Sequence, residues 1–232
     1  MLRLLPLIVA AVLLVGASSR PAPASGEAGA QLLALDRSVV ARAAPSPVAR
    51  PVARVAALTP LTAARMVLPV VRTAAGPAGG TWLQVRLPAR PNGSTGWVPA
   101  GVGTLTQTAW RIVVHRSVRS ASVFQGARLR ARYRVVVGKR TTPTPLGTFF
   151  VVEKLHLAPG VAEGPWALAT SAYSSVLQQF GGGPGQIALH GIVGLRAPLG
   201  TFSSHGCVRF GVAAITWIAL HVPDGTPVVV KR

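Results

Sequence analysis

The chain alternates between short apolar segments and turn residues, and this alternation limits the folds open to it more than any other feature. Its 232 residues include 25 glycines and 20 prolines. Between these lie runs such as RMVLPVV, TWLQVRLPA and WRIVVHR, whose β-branched and aromatic residues and short lengths are typical of strands. Hydrophobic residues make up 50% of the chain, enough to bury a core. The pattern therefore predicts a mainly β protein.

One segment near the C-terminus departs from the strand pattern. In GVAAITWIALHV, the residues Val212, Ile215, Ala219 and Val222 recur at the spacing that lines one face of a helix, and Pro223 would end it. We therefore expect one short helix, followed by a closing strand in TPVVVK.

The first residues indicate export. In MLRLLPLIVAAVLLVGASS a positive start is followed by an apolar run from Leu4 to Val15 and then by small residues, the order found in secretory signal peptides. The run is shorter than the roughly 20 residues of a spanning helix. We expect residues 1–24 to be a signal peptide, cleaved after Ala17, Ser19 or Ala24, and a secreted or cell-envelope protein with no stable membrane span after processing. A short uncleaved anchor is the alternative.

Composition divides the rest of the chain into three parts. Residues 25–52 are rich in Ala, Pro and Arg, which predicts a disordered linker. Residues 53–108 contain about five short strands between turns, which favours a small β-barrel-like module. Residues 109–232 continue the strand pattern and hold the helix, which predicts a second domain. A plain β-extension of that second domain is the alternative for residues 53–108.

The charge is strongly positive, with 24 Lys and Arg against five Asp and Glu and a net charge of +19. Such chains favour anionic partners, for example nucleic acid, anionic lipid or an anionic cell-wall polymer, although a compositional bias toward arginine explains the charge equally well. No nucleic-acid recognition motif is present, and export argues against that partner.

Cys207 is the only cysteine, so it cannot form an internal disulfide in an exported chain. Its presence indicates a reactive thiol or a buried inert one. Cysteine attacks as the thiolate, so a reactive role requires a lowered thiol pKa. The positive charge of Arg209 and the nearby start of the predicted helix favour that lowering.

Two histidines could serve as the base for this thiol. His205 lies two residues before Cys207, and His190 ends the strand QIALH, 17 residues before it. We favour His190, because the intervening loop can return to the end of its strand. The carbonyl of Gly191 is the local group that could orient the imidazole, since no acid lies near either histidine in sequence. Gly206 lets backbone N–H groups approach an oxyanion.

The segment LHGIVGLRAPLGTFSSHGCVRF closely resembles the HG … SHGCVR signature of the YkuD-type L,D-transpeptidase catalytic domain. GKRTTPTPLGTFFV resembles a second conserved strand of that family, and SAYS and GQIALHG follow in the expected order. The resemblance spans about residues 110–231. The segment WLQVRLPARPNGSTGWV resembles the Src-homology-3-like module that precedes the catalytic domain in some secreted cell-wall proteins.

The resemblance implies a β-sandwich-like catalytic domain with one short helix, acting on peptidoglycan stem peptides without metal or cofactor. It implies Cys207 as nucleophile, His190 as proton donor and acceptor, and Gly191 as the orienting carbonyl. His205 and Gly206 would shape the site and its oxyanion hole. Ser204 and Arg209 match flanking positions that would support the site or bind the substrate. Apart from the resemblance, Tyr173 is a candidate substrate-binding residue that could line the pocket, although core packing is the favoured expectation for it.

The expected reaction is L,D-transpeptidation, in which a cysteine acyl-enzyme cross-links stem peptides during cell-wall biogenesis. Water as acceptor would instead give an L,D-carboxypeptidase. A non-catalytic cell-wall-binding protein is the alternative outside the enzymes. A zinc site is not expected, because His190, His205 and Cys207 lack a fourth ligand and the spacing of known sites.

Overall fold

The structure is a computed structural model that describes residues 29–194 and 198–232. The expected signal peptide at residues 1–24 lies outside the described residues. Within them, strands dominate and a single α-helix occurs, so the expected mainly β fold is confirmed. No helix among these residues is long and apolar enough to cross a membrane.

The N-terminal half forms a seven-stranded sheet in the order β3-β2-β6-β5-β4-β1-β7. Its strands are β1 (Ala30–Leu35), β2 (Val39–Arg42), β3 (Pro51–Val55), β4 (Val67–Ala75), β5 (Thr81–Arg86), β6 (Thr95–Pro99) and β7 (Gly103–Thr108). All of its pairs are antiparallel, and a short 3-10 helix, Ala100–Val102, precedes β7.

The prediction of a disordered linker at residues 25–52 is wrong for the described part of that segment. The apolar run in QLLALD forms β1, which lies between β4 and β7 and buries Leu33 and Leu35 completely. Because β1 supplies a central strand, its hydrogen bonds and core contacts outweigh the turn-rich composition around it. The N-terminal sheet therefore begins at Ala30, ahead of the expected start at residue 53. The likeness of this region to a Src-homology-3 fold stays a prediction.

The C-terminal half forms an eight-stranded sheet in the order β10-β9-β8-β17-β12-β13-β14-β16. Its strands are β8 (Trp110–His115), β9 (Ser120–Gln125), β10 (Arg128–Arg134), β12 (Gly147–His156), β13 (Trp166–Tyr173), β14 (Gln186–His190), β16 (Val208–Arg209) and β17 (Pro227–Lys231). A separate parallel pair joins β11 (Val137–Gly138) to β15 (Phe202–Ser204).

Strand β12 belongs to two hydrophobic cores. Phe149 and Val151 pack in the C-terminal core, while Phe150 and Val152 pack in the core of the N-terminal sheet. A strand covered on both faces reads as a continuous apolar run, which is what FFVV shows. Burying each such side chain stabilises the fold by about 1.5–3 kcal/mol. This strand therefore joins the two hydrophobic cores.

Polar contacts reinforce the junction next to β12. Glu153 is buried, and its Oε2 accepts hydrogen bonds from the Leu61 N–H at 3.2 Å, the Thr62 N–H at 2.9 Å and the Thr62 hydroxyl at 2.9 Å. A buried carboxylate requires such donors, because leaving it unpaired is costly. The contact therefore fixes the loop before β4 against the C-terminal sheet.

The helix α1 spans Val212–His221 and lies against β13. Ile215, Ile218 and Ala219 are buried in the C-terminal core, whereas Val212 is 44% exposed. The expected apolar face is therefore present except at its first residue. The Lys154 ammonium donates to the carbonyls of Ala219 and Val222, both at 3.0 Å, and so satisfies acceptors that the helix end leaves free.

Candidate active site

Two neighbouring strands bring the expected histidine and cysteine to one face of the sheet. β14 and β16 pair in parallel, with Leu189 opposite Val208 and His190 opposite Arg209. Leu189 and Val208 belong to the C-terminal core. Because side chains alternate along a strand, His190 projects from the opposite face, as does Cys207, which directly precedes β16. The parallel register thus brings together two residues that are 17 positions apart in the chain.

The His190 imidazole is buried and has a defined orientation. Its Nδ1 lies 2.7 Å from the Gly191 carbonyl oxygen. A carbonyl only accepts hydrogen bonds, so Nδ1 carries the hydrogen, and Nε2 of the neutral ring is left as an acceptor. The ring orientation is therefore set by the backbone of the next residue, the group that sequence reasoning favoured.

Gly191 is held where no side chain fits. Its N–H donates to the Glu163 carbonyl at 2.9 Å, and a Cβ at this position would overlap the Gly164 carbonyl oxygen. Any larger residue would push the strand end away from the neighbouring loop. Position 191 thus requires a glycine for lack of space, and its carbonyl also orients His190.

The turn that carries the cysteine is fixed from inside. The buried Ser204 hydroxyl donates to the Cys207 carbonyl at 2.6 Å and accepts from the Gly206 N–H at 3.1 Å. Gly206 has a φ of +128°, a conformation that favours glycine, and a Cβ there would meet Ile187. These contacts give Ser204 a role in shaping the turn, which is the supporting role expected for it, and its contact with substrate stays a prediction.

The expected oxyanion role of Gly206 is changed by these bonds. The Gly206 N–H already donates to Ser204, so it is not a free donor. Among the described hydrogen bonds, the N–H of Cys207 has no protein acceptor, so it is a candidate oxyanion donor. Gly206 therefore contributes the shape of the turn, and the Cys207 N–H is the better oxyanion donor.

Two threonines in the TTPTPLG segment support the same turn and were missed as site residues. The Thr144 hydroxyl donates to the Gly206 carbonyl at 2.7 Å and accepts from the Gly138 N–H at 2.9 Å. The Thr142 hydroxyl donates to the Ser204 carbonyl at 3.4 Å. The resemblance of this segment to the family's second conserved strand was the signal that could have identified them.

The resting thiol of Cys207 differs from expectation. Burial raises the pKa of the thiol above its ordinary value, and this effect outweighs the Ala188 N–H, which donates to Sγ at 3.4 Å, and the positive charge of Arg209. The charge of Glu163 adds to the increase. The expected lowering of the thiol pKa is therefore wrong for the resting site, because the desolvation cost of a thiolate is larger than the charge effects.

The pKa of His190 is lowered from its ordinary value, chiefly by burial and also by the charge of Arg209, while the Gly191 hydrogen bond and Glu163 act in the opposite sense. Burial therefore disfavours the charged form of both groups. The resting pair is a neutral thiol and a neutral imidazole, so a base with a free Nε2 is present before any proton moves.

His205 lies at the exposed rim of the site and does not approach the position of a base. Its ring stacks on Phe180 with centroids 5.1 Å apart, and its Nε2 lies 3.4 Å from the Lys139 ammonium nitrogen. Phe180 belongs to the loop between β13 and β14, which sequence reasoning did not connect with the site. The loop contains no sequence motif, and Phe180 comes close to His205 only in the folded protein.

Tyr173 contacts the N-terminal sheet and not the cysteine turn. Its hydroxyl donates to the Pro88 carbonyl at 3.1 Å, and the Arg90 guanidinium lies 5.0 Å from its ring centroid. Asn92 forms two further hydrogen bonds with the Tyr173 backbone, at 2.7 and 2.8 Å. These contacts place Tyr173 at the junction of the two sheets, in keeping with the favoured packing role, and its contact with substrate stays a prediction.

Arg209 lies opposite His190 and holds a charge next to the pair. Its Nε is buried and has no acceptor among the described residues. An unpaired buried donor of this kind is costly to the fold unless a ligand supplies the acceptor. Residues 29–194 and 198–232 contain no group of three or more His, Cys, Asp or Glu side chains that could hold a metal ion.

The site thus brings a thiol, an imidazole oriented by a backbone carbonyl and a turn shaped by Ser204 and Gly206 together on a mainly β scaffold. Comparison with known proteins assigns the domain that carries this site to a family. The sequence model of YkuD, described as the L,D-transpeptidase catalytic domain, matches residues 109–230. These residues are more than half of the chain, and the protein therefore belongs to the YkuD family of L,D-transpeptidase catalytic domains.

Individual relatives show the extent of the similarity. The curated YkuD protein of Bacillus licheniformis is 29% identical over 157 residues, which cover 64% of this chain and 86% of that protein. The YkuD protein of Bacillus subtilis is 28% identical over 123 residues, covering 53% and 66%. A solved L,D-transpeptidase structure from Mycobacterium tuberculosis H37Rv is 16% identical, with a TM-score of 0.47 and coverage of 72% of this chain and 90% of that one.

Proposed function

We propose that this protein is a secreted L,D-transpeptidase that cross-links peptidoglycan stem peptides through an acyl-enzyme on Cys207. The observation that supports this most directly is the hydrogen bond from His190 Nδ1 to the Gly191 carbonyl, on the same sheet face as the thiol. It leaves Nε2 as the base for a nucleophile that is a neutral thiol at rest. Family membership supplies the reaction class.

In the first half of the reaction, Cys207 attacks the carbonyl between an L-configured centre and a terminal D-residue of the donor stem. The thiol proton passes to His190 Nε2 as the sulfur–carbon bond forms. The developing oxyanion accepts a hydrogen bond from the Cys207 N–H. Collapse of this intermediate breaks the carbon–nitrogen bond, and the imidazolium returns its proton to the leaving amine of the D-residue.

In the second half, an amine of a neighbouring stem attacks the thioester. His190 now takes a proton from that amine, and the new amide forms as the thiol is released and reprotonated. The energy of the donor peptide bond is retained in the thioester, so no nucleotide is required outside the cell. Arg209 supports the donor stem, because its positive charge lies next to the reacting pair and attracts a substrate carbonyl or carboxylate.

The place of action follows from the N-terminal sequence, whose charge and apolar run are those of a signal peptide. We propose a location at the cell envelope, where the net charge of +19 favours retention by anionic polymer. Release from purified walls by rising salt concentration tests this retention. Unchanged binding across the salt range would contradict it.

The central experiment mixes the mature protein with a disaccharide-tetrapeptide and follows products and intact protein by mass spectrometry. We expect a cross-linked dimer and a transient adduct on Cys207, with both absent in Cys207→Ser. Loss of one D-residue without dimer would make the protein an L,D-carboxypeptidase. The absence of product and adduct, with the fold intact by circular dichroism, would contradict an enzymatic function and favour a wall-binding protein.

A further inference from the structure

A cleft of about 850 Å³ lies between the two sheets, away from the cysteine turn. Its walls come from β1, β4 and β5 on one side and from β8, β9, β12 and β17 on the other. In the C-terminal sheet these strands are separated from the β14–β16 edge by β13. The cleft is thus built by residues that the proposed acyl transfer does not use.

The charged groups that line the cleft are all basic. Arg72, Arg86, Arg111 and Lys231 lie in its walls together with His115, and none of the described lining residues is an aspartate or glutamate. The pKa of His115 is lowered by burial and by the charges of Lys231 and Arg132, so its ring is neutral at neutral pH. Four permanent positive charges therefore face one space.

These charges have no balancing partners within the fold. The described residues contain a single ion pair, Arg65 with Asp36, and neither residue lines the cleft. Arg86 is half-buried and its only hydrogen bond is to the Thr148 carbonyl at 3.4 Å, while burial lowers its pKa. Like charges held together in a walled cleft raise its positive potential, and a bound anion would offset the desolvation of Arg86.

The floor of the cleft is apolar, with Val113, Val229 and Phe149 among its residues. A ligand that fits must therefore combine several negative charges with aliphatic carbon. A single small anion does not suffice, because the cations come from four strands, β4, β5, β8 and β17. A chain of phosphate groups joined by short polyols meets both requirements.

The aromatic side chains of the cleft do not provide a surface for nucleic-acid bases. Phe124 is covered by the guanidinium of Arg111, which lies 4.8 Å from the ring centroid. Trp110 packs edge-on against Trp217 at 5.9 Å. Proteins that bind single-stranded nucleic acid use free aromatic faces for stacking, whereas one face of Phe124 is taken by Arg111 and Trp110 is packed against Trp217.

We propose that this basic cleft is a binding site for a linear phosphodiester polymer of a small polyol. The site is independent of the cysteine chemistry, and it rests on the proposed function only for the envelope location where such a polymer would be encountered. It would hold the protein on anionic polymer while the edge of the sheet at β14 and β16 acts on stem peptides.

Binding of a short synthetic glycerol-phosphate oligomer to Cys207→Ser protein, followed by calorimetry at several salt concentrations, tests the proposal. The double variant Arg72→Gln, Arg111→Gln should weaken binding by about tenfold or more and reduce the salt slope by about one to two. The lysine pair Arg72→Lys, Arg111→Lys keeps the charge and should retain most of the affinity. Circular dichroism checks that both variants fold.

The matched control is Arg50→Gln, Arg54→Gln, which removes the same charge from exposed positions at and next to β3, outside the cleft. It should change affinity less than about twofold. Equal losses in the cleft and control pairs would overturn the proposal, because net charge alone would then explain binding. Absence of binding at low salt would also overturn it.

Three further probes distinguish the polymer from other ligands that carry phosphate groups. Inorganic phosphate that binds as tightly as the oligomer would replace the polymer site with a single-anion site. Vesicles of anionic phospholipid that compete fully at equal phosphate would assign the cleft to a lipid headgroup. A DNA oligonucleotide that binds more tightly and with the same cleft dependence would assign it to nucleic acid. Each result overturns the polymer assignment, and none depends on whether acyl transfer is observed.

Discussion

The two sheets of this protein are packed in a similar way, but only the C-terminal sheet contains a sequence motif that indicates a function. The C-terminal sheet carries His190, Gly191 and the cysteine turn. Hydrogen bonds or a lack of space for a larger side chain explain why these residue types occur there. The N-terminal sheet carries no such motif, and its first strands lie in a segment whose composition predicted disorder. A motif can therefore identify candidate reactive residues from sequence alone. The position of a supporting sheet depends instead on which apolar surfaces it covers in the folded protein.

The largest expected effect tests how far the two sheets are independent. Phe149→Ala opens a cavity in the C-terminal core and Phe150→Ala opens one in the N-terminal core, and each should lower the free energy of unfolding by about 3–5 kcal/mol. Chemical denaturation followed by tryptophan fluorescence measures both. Because β12 joins the cores, we expect one cooperative transition in both variants. A separate early transition in Phe150→Ala alone would show that the N-terminal sheet unfolds by itself.

A glycine in each region gives the second test. Gly191→Ala should reduce acyl transfer by about a hundredfold, because its Cβ would overlap the Gly164 carbonyl and displace the oxygen that orients His190. Gly101 lies in the 3-10 helix before β7, where an added Cβ meets nothing within 4 Å, so Gly101→Ala should leave activity unchanged. The measurement is the rate of adduct formation on Cys207. Equal activity of the two variants would contradict the steric role of Gly191.

The third test concerns Arg90, which links the N-terminal sheet to the loop between β13 and β14 beside the site. Arg90 donates to the carbonyls of Ser174, Leu177 and Pro184 at 2.7–3.2 Å, and these residues belong to the loop whose Phe180 stacks on His205. Arg90→Gln should lower kcat/KM by roughly fivefold, the equivalent of about one net hydrogen bond.

Hydrogen exchange in residues 174–185 should also become faster in Arg90→Gln. Arg54→Gln, an exposed change on the same sheet, is the matched control and should alter neither quantity. Faster exchange with unchanged kcat/KM would mean that the loop does not take part in the reaction.

The smallest expected effect is a shift in a pH profile. Burial raises the pKa of the Cys207 thiol, so its alkylation by iodoacetamide should increase with pH along a curve centred above the ordinary thiol value. Arg209→Gln removes a positive charge that favours the thiolate, so the curve should move to still higher pH. Mass spectrometry of the alkylated protein measures both curves. A midpoint below the ordinary value would mean that the resting thiol is already ionised.

Several elements were predictable because their causes are local. The spacing of Ile215 and Ala219 placed the helix, and the apolar run at FFVV indicated a strand, which the structure shows to be covered on both faces. The HG pair and the SHGC motif pointed to His190 and Cys207. Each has a glycine beside it, at a position where neighbouring residues leave no room for a side chain.

Other features depended on contacts between distant segments. The sign of the Cys207 pKa shift follows from how deeply the folded sheet buries the thiol, which outweighs the nearby charge of Arg209. Tyr173 meets Pro88 and Arg90 across 85 and 83 positions of the chain, so no local pattern could place it. Phe180 reaches His205 only because the loop between β13 and β14 folds over the rim.

By itself, the sequence determined the mainly β class and the candidate reacting groups, because the alternation of apolar residues and the motif around the thiol and imidazole are local along the chain. Only the tertiary structure decided that β1 and β2 and the start of β3 lie within residues 30–52, that Ser204 closes the cysteine turn, and that four basic side chains line one cleft. Burial, desolvation and charge balance are properties of the packed molecule, since each depends on every segment that comes to surround a group.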